Sequence, residues 1–266
     1  MAKQLRRKPV LSKKKVDRRP ATVPESTEGM RLNKYVAHCG IASRREAAEL
    51  VKQGHVTING EVVIEPFYQI KVEDIVKYKG KVIRPEIRRV YYLMNKPKNV
   101  ITTTADEKGR KTVLDLVADR VEERVFPVGR LDRDTTGLLL LTNDGELAQK
   151  MTHPSYKMKK IYHATLDKTI SNEDLKKIQA GLELEDGPAP VDSAEYIVER
   201  PHNEVGITIH IGRNRIVRRI FSHLGYEVLK LDRVYLGGLT KKDLPRGFVR
   251  QLTKQEVIML KHFTGK

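Results

Sequence analysis

The six residues Arg84–Arg89, reading RPEIRR, constrain this chain more than any other stretch. They are charged, contain Pro85 and carry no apolar period, so neither a strand nor an amphipathic helix is expected through them. Such a segment reads as a linker. The chain is therefore expected to fold as two units with separate cores, residues 30–84 and 90–266, and 266 residues leave room for both.

The first unit is punctuated throughout. Leu32, Tyr35, Val36 and Cys39 share a helical face, and Gly40 suits a C-terminal cap. Ser43 with Glu46 reads as a capping box opening a second helix, which carries Ala47, Leu50 and Val51 inward and stops at Gly54. Val56–Ile58, the pair Asn59-Gly60 and Glu61–Val63 form a hairpin by pattern and turn type, and a further short strand pair brackets Lys79-Gly80. Ahead of this unit, residues 1–29 hold three prolines and nine of the 51 Lys and Arg against three of the 34 Asp and Glu. This segment, at +6, is expected to be a basic disordered tail. It lacks the apolar stretch of a secretory signal.

The rest of the chain still carries +11 (42 minus 31) of the net +17, which points to a polyanionic partner. Cys39 is the only cysteine, so an internal disulfide and a multi-cysteine metal site are excluded and a reducing cytoplasm is expected. No run approaches the roughly 18 apolar residues that span a bilayer. The histidines His153, His163, His210 and His223 show no metal-ligand spacing.

Beyond the linker, strands are expected at Val90–Met94, Gly137–Thr142, Tyr162–Leu166, Val191–Val198, Val205–Ile211 and Glu227–Leu231. Helices are expected from Ser171 to near Gly181, from Asn214 to His223, and after Thr253-Glu256. Strands and helices do not alternate regularly. The class is therefore α+β: a small α/β unit, then a mixed, mainly antiparallel sheet with flanking helices.

Two segments carry chemistry. RLNKYVAHCGIASRREAAELVKQGHVTINGEVV, Arg31–Val63, resembles the RNA-binding domain first described in ribosomal protein S4. Arg44 and Arg45 lie in the first turn of its second helix, where backbone N–H groups also favour phosphate, and Lys34 and Lys52 extend that surface. In the larger unit, FPVGRLDRDTTGLLLLTNDG sets Asp132 between Arg130 and Arg133, cations that keep a carboxylate ionised and attract a phosphate chain. Alone, an Arg-Leu-Asp triplet is more often a turn or a surface ion pair. Three further stretches occur in the order of the same pattern: Asn95-Lys96-Pro97, Lys160-Ile161-Tyr162 and Gly212–Arg219, reading GRNRIVRR. Together they resemble the pseudouridine synthases of the RsuA and RluB/E/F group, over roughly Arg31 to Leu239.

That resemblance implies site-specific isomerisation of uridine in ribosomal RNA, closer to the large-subunit than the small-subunit enzymes. Asp132 would be the catalytic carboxylate, as nucleophile or base. Arg218 would pair with it, Tyr162 would lie against the uracil, and Leu231 and Arg130 would line the substrate pocket. Lys96, Arg213 and Arg215 are expected on RNA. The reaction moves no atoms in or out, so neither cofactor nor metal is implied. The partner would be ribosomal RNA or a precursor particle, and the enzyme a monomer. The alternatives are the same chemistry on small-subunit RNA, or a non-catalytic RNA-binding assembly protein. An RNA methyltransferase is disfavoured because no G-x-G-x-x-G turn is present.

Overall fold

Asn59 and Gly60 both adopt positive φ, 55° and 96°, the backbone that a two-residue hairpin turn needs to match the twist of its strands. They join two of the strands in the first of two compact units of the computed structural model, which describes residues 27–85, 89–104 and 106–263. Most of the expected basic tail, residues 1–26, and linker residues 86–88 lie outside the described residues.

The first unit contains helices α1 (Leu32–His38) and α2 (Arg44–Lys52) and strands β1 (Val56–Ile58), β2 (Glu61–Val62), β3 (Val76–Tyr78) and β4 (Lys81–Val82). The strands form an antiparallel sheet in the order β2-β1-β3-β4. The capping box is complete: Ser43 Oγ accepts from the Glu46 amide at 3.3 Å, and Glu46 Oε2 from the Ser43 amide at 2.8 Å. Leu32, Val36, Ala47, Val51, Val56 and Ile70 fill the core. Cys39 packs partly against it, and burial pushes its thiol up to about 12, so it is a packing residue at neutral pH.

The second unit is built on a nine-stranded sheet. In chain order its elements are β5 (Tyr91–Lys96), β6 (Phe126–Pro127), β7 (Thr136–Thr142), α3 (Gly145–Thr152), β8 (Lys160–Leu166), α4 (Asn172–Ala180), β9 (Leu182–Leu184) and β10 (Gly187–Ala189). They continue through β11 (Ser193–Tyr196), β12 (Glu204–Ile209), α5 (Ile216–His223), β13 (Val228–Leu236), β14 (Leu239–Thr240), β15 (Val249–Gln251) and α6 (Lys254–Phe263). The main path runs β11-β12-β8-β13-β7-β5-β15, while β14 joins β13, β6 joins β7, and β9 and β10 form a separate hairpin. Among these strands only β7 and β13 pair in parallel, over two residues. The rest is antiparallel, so the mixed, mainly antiparallel α+β architecture read from the sequence is the one found.

Leu138–Leu141 explains why the sheet is covered on both faces. Leu139 and Leu141 enter one core with Ile178, Val217 and Ile220, while Leu138 and Leu140 enter another with Leu147, Met151 and Leu260. All four leucines are fully buried, as an unbroken apolar run requires of a central strand. Each contributes roughly 1.5–3 kcal/mol of burial.

Several boundaries differ from expectation. The helix expected from Asn214 begins at Ile216, because Arg215 sits in the left-handed region at φ 45°. The strand expected to stop at Leu231 continues to Leu236, with two register shifts against β8. The one expected over Val191–Val198 is confined to Ser193–Tyr196. The β9–β10 hairpin and α3, whose Asp144 cap accepts from the Leu147 amide at 3.1 Å, were not anticipated. No helix among the described residues is long and apolar enough to cross a membrane.

Candidate active site

The loop between β6 and β7 leaves the sheet at Gly129, whose φ of +70° turns the chain, and re-enters it at Gly137. Gly137 has φ +109°, and a Cβ there would collide with the Arg233 backbone carbonyl and stand 2.7 Å from Asp232 Oδ1. Glycine is what lets β7 lie against β13 at this point. The adjacent Thr136 Oγ1 donates to Asp232 Oδ1 at 2.9 Å, and Asp232 is held by Lys241 and by Arg246 at 2.9 and 3.0 Å. Burial would raise the Asp232 carboxyl. These donors overcome that penalty and hold it down to about 2.

The loop itself is fixed from behind by Lys96. Its side chain is fully buried at the end of β5, and Nζ donates to the carbonyls of Thr135 at 2.8 Å, Asp132 at 2.9 Å and Pro97 at 3.2 Å. Burial depresses its ammonium to about 8, against the pull of Asp134 and Asp132. Lys96 was expected on RNA, and this geometry corrects that. A fully buried ammonium spent on loop carbonyls cannot reach a phosphate. Thr102 adds to the clamp, donating to the Leu131 carbonyl at 2.8 Å, and the Asn99 amide donates to the Arg133 carbonyl at 2.8 Å.

So held, the loop presents two carboxylates. Arg215 stands 3.6 Å from both Asp132 Oδ2 and Asp134 Oδ1. Arg218, expected to pair with Asp132, instead binds Asp134 Oδ2 at 2.8 Å and donates to the Val228 carbonyl at 2.5 Å. Its position in the first turn of α5 aims it at the far side of the loop. Burial lowers its affinity for the proton, and its Nε has no partner among the described residues.

The loop separates two clefts. One, of about 470 Å³, is lined by Arg130, Asp132, Arg133 and Asn214 together with Thr102, Thr103 and Lys108. The other, of about 360 Å³, is lined by Asp134, Thr136, His163, Leu231, Lys98 and Lys230 among others. Arg130 and Asp132 thus share one cleft, while Leu231 opens into its neighbour. Tyr162 lies on β8 beside Arg233 of β13; it is buried, with 8% exposure, and lines neither cleft.

The GRNRIVRR segment is clamped at its outer side. Asp186, in the turn of the β9–β10 hairpin, accepts from Arg213 at 2.9 Å and from Arg219 at 2.9 and 2.5 Å. Arg213 also donates to the Pro188 carbonyl at 2.6 Å. Arg213, expected on RNA, is committed to this hairpin, whereas Arg215 remains half-exposed at the loop. Because Arg213 and Arg219 bracket Arg215 and Arg218, Asp186 should position both. We expect Asp186→Ala to lower the saturated rate about tenfold, the scale of a small misplacement. Unfolding stability should change little, since the network faces solvent and is screened there. Equal single-turnover rates for the variant and the parent would remove Asp186 from this role.

In the first unit, Arg44 and Arg45 are exposed at the start of α2, and Lys34 is half-buried. Lys52 is engaged by Glu49 at 2.8 Å. Sequence reasoning missed Lys96 as a clamp, and Asp186 altogether. Neither has a local signal: Lys96 reads as the polar end of the strand Tyr91–Lys96, and Asp186 as an acidic turn residue.

Residues 90–223 match the family model described as RNA pseudouridylate synthase. The chain belongs to that family. Residues 30–76 match the S4 domain, so the pseudouridine synthase carries an RNA-binding module in front of its isomerase domain. It is 43% identical to ribosomal large subunit pseudouridine synthase B of Bacillus subtilis (strain 168), over 87% of this chain and 95% of that protein. It is 36% identical to the dual-specificity RNA pseudouridine synthase RluF of Escherichia coli (strain K12), over 90% and 80% of the two chains. A crystal structure of a pseudouridylate synthase superposes with a TM-score of 0.60 at 30% identity, covering 86% of this chain and 99% of the other.

Proposed function

We propose that this pseudouridine synthase isomerises a uridine of large-subunit ribosomal RNA, with Asp132 as the catalytic carboxylate. The observation that carries the assignment is the loop itself. Lys96 fixes its backbone from within the fold, which leaves the Asp132 side chain on the wall of a cleft, one-third exposed and facing Arg215. A carboxylate held purely for structure is saturated with donors, as Asp232 is by Thr136, Lys241 and Arg246.

In this reading the S4 domain supplies affinity through Arg44, Arg45 and Lys34, and the sheet domain supplies the reaction. The target base leaves its stack at a cost of a few kcal/mol, offset by contacts to the backbone. Asp132 attacks or deprotonates the nucleoside, the bond from ribose to nitrogen 1 breaks, the uracil turns, and carbon 5 joins the ribose. Carbon 5 then loses its proton and nitrogen 1 gains one, so the atoms of substrate and product balance. Arg215 faces Asp132 across 3.6 Å and stands beside the reacting carboxylate. Arg218 holds the neighbouring Asp134, and Tyr162 provides a ring for the uracil once the site opens around it. The large-subunit target is supported by the likeness to the Bacillus subtilis enzyme. The test is release of tritium from carbon 5 of labelled uridine, measured on large-subunit and small-subunit transcripts separately. Release from the large-subunit transcript alone is expected. Release confined to the small-subunit transcript would overturn the target, and none from either would overturn the reading.

A further inference from the structure

On β13, Val228 faces Leu166 of β8 and Lys230 faces the next residue back, Thr165. Leu229 is therefore an extra residue, a β-bulge. Bulges re-aim side chains and occur beside active sites. Here the effect is visible in burial. Leu229 and Lys230 are both exposed, although consecutive strand residues should point to opposite faces, and Val228 and Leu231 on either side are buried.

The bulge opens onto the 360 Å³ cleft on the Asp134 side of the loop, which Lys98 also lines. Lys98 precedes Asn99, which has φ 65° and is tied by its amide to the Arg133 carbonyl, so this lysine is anchored to the catalytic loop. The cleft's arginine is already engaged, since Arg246 is bound to Asp232. Among the described residues, no carboxylate holds Lys98 or Lys230 in an ion pair. The cleft thus combines an exposed leucine, two uncommitted ammonium groups and a volume within the roughly 300–1,000 Å³ range of small-ligand sites.

We propose that this cleft receives the nucleotide next to the target uridine, with its phosphate between Lys98 and Lys230 and its ribose or base against Leu229. The inference rests on the reading that a uridine in RNA reacts at Asp132. Charge selects the occupant: two free cations beside an apolar surface suit a phosphate joined to a nucleoside, and an RNA chain brought to Asp132 must place a neighbouring residue close by. This phosphate positions the chain, while the apolar contact bears on which neighbour is accepted.

The experiment uses the full chain and large-subunit ribosomal RNA transcribed in vitro, with binding measured across a range of potassium chloride. The logarithmic salt dependence flattens by about 0.7–0.9 for each phosphate no longer neutralised, and the two lysines share one phosphate, so K98A/K230A should flatten it by about 0.7–0.9. The same variant should raise KM for tritium release more than it lowers kcat. K176A/K254A, which removes two exposed lysines of the same unit outside either cleft, should leave both quantities at the parent's values. An unchanged slope in K98A/K230A overturns the proposal, as does an equal flattening in K176A/K254A. If the parent released no tritium, the underlying assignment of activity would fall instead, and the salt slopes would still decide whether the cleft holds phosphate.

Discussion

Asp132→Asn should abolish release of tritium from carbon 5 of uridine while leaving folding and RNA binding nearly intact. The substitution preserves shape and removes both nucleophilicity and basicity, so neither route from uridine can proceed. Stability should barely change. Asp132 is paired with a half-exposed Arg215 at 3.6 Å, and such pairs contribute about 0–1 kcal/mol. Binding should hold or tighten, because one anion is lost beside a phosphate chain. The nearby Asp134 makes the experiment sharper. It is gripped by Arg218 at 2.8 Å, so Asp134→Asn releases a partly buried guanidinium and should cost stability as well as rate. Both variants should be assayed by single turnover with thermal unfolding alongside. Robust turnover by well-folded Asp132→Asn, with an inactive Asp134→Asn, would falsify the assignment and exchange the two roles.

The parts of this molecule that are legible in the sequence are those governed by local rules. Ser43 and Glu46 cap α2 because the donors and acceptors lie three residues apart, and Asn59-Gly60 turns because both tolerate positive φ. Leu138–Leu141 reads as an apolar strand from the run of leucines alone, and burial on both faces follows from it. Local signals fail where tertiary partners override them. Lys96 looks like a solvent-facing cation, and only the loop folding over it supplies the carbonyls that take it inside. Arg218 is matched to the right loop but the wrong carboxylate, since the left-handed turn at Arg215 decides which of Asp132 and Asp134 it meets. Asp186 has no signal, being an acidic residue in a turn whose partners lie 27 and 33 positions away.

Lys96→Met should also damage catalysis, less than loss of the carboxylate and for a different reason. Methionine fills a similar volume but leaves the carbonyls of Asp132 and Thr135 without their donor, at about 1–3 kcal/mol for each unsatisfied group. Part of that is offset because the buried ammonium no longer has to be desolvated. The net result should be a measurable fall in unfolding free energy, and the loop, free to shift by about an ångström, should lose about a hundredfold in single-turnover rate. The pH dependence tests the cause. The folded ammonium titrates near 8 and the unfolded one near 10.5, so between these values the unfolded state binds more protons. This group's contribution to stability therefore rises as pH increases through that window, its unfavourable desolvation being fully present below it. The difference in unfolding free energy between parent and Lys96→Met should shift from pH 8 to 10.5 in the parent's favour. Over the same range the parent's turnover should decline, because a neutral amine has one N–H fewer to hold the loop. Thermal unfolding and single-turnover rates across this pH range supply both curves. A Lys96→Met protein with the parent's rate would show that the loop holds its shape without the clamp.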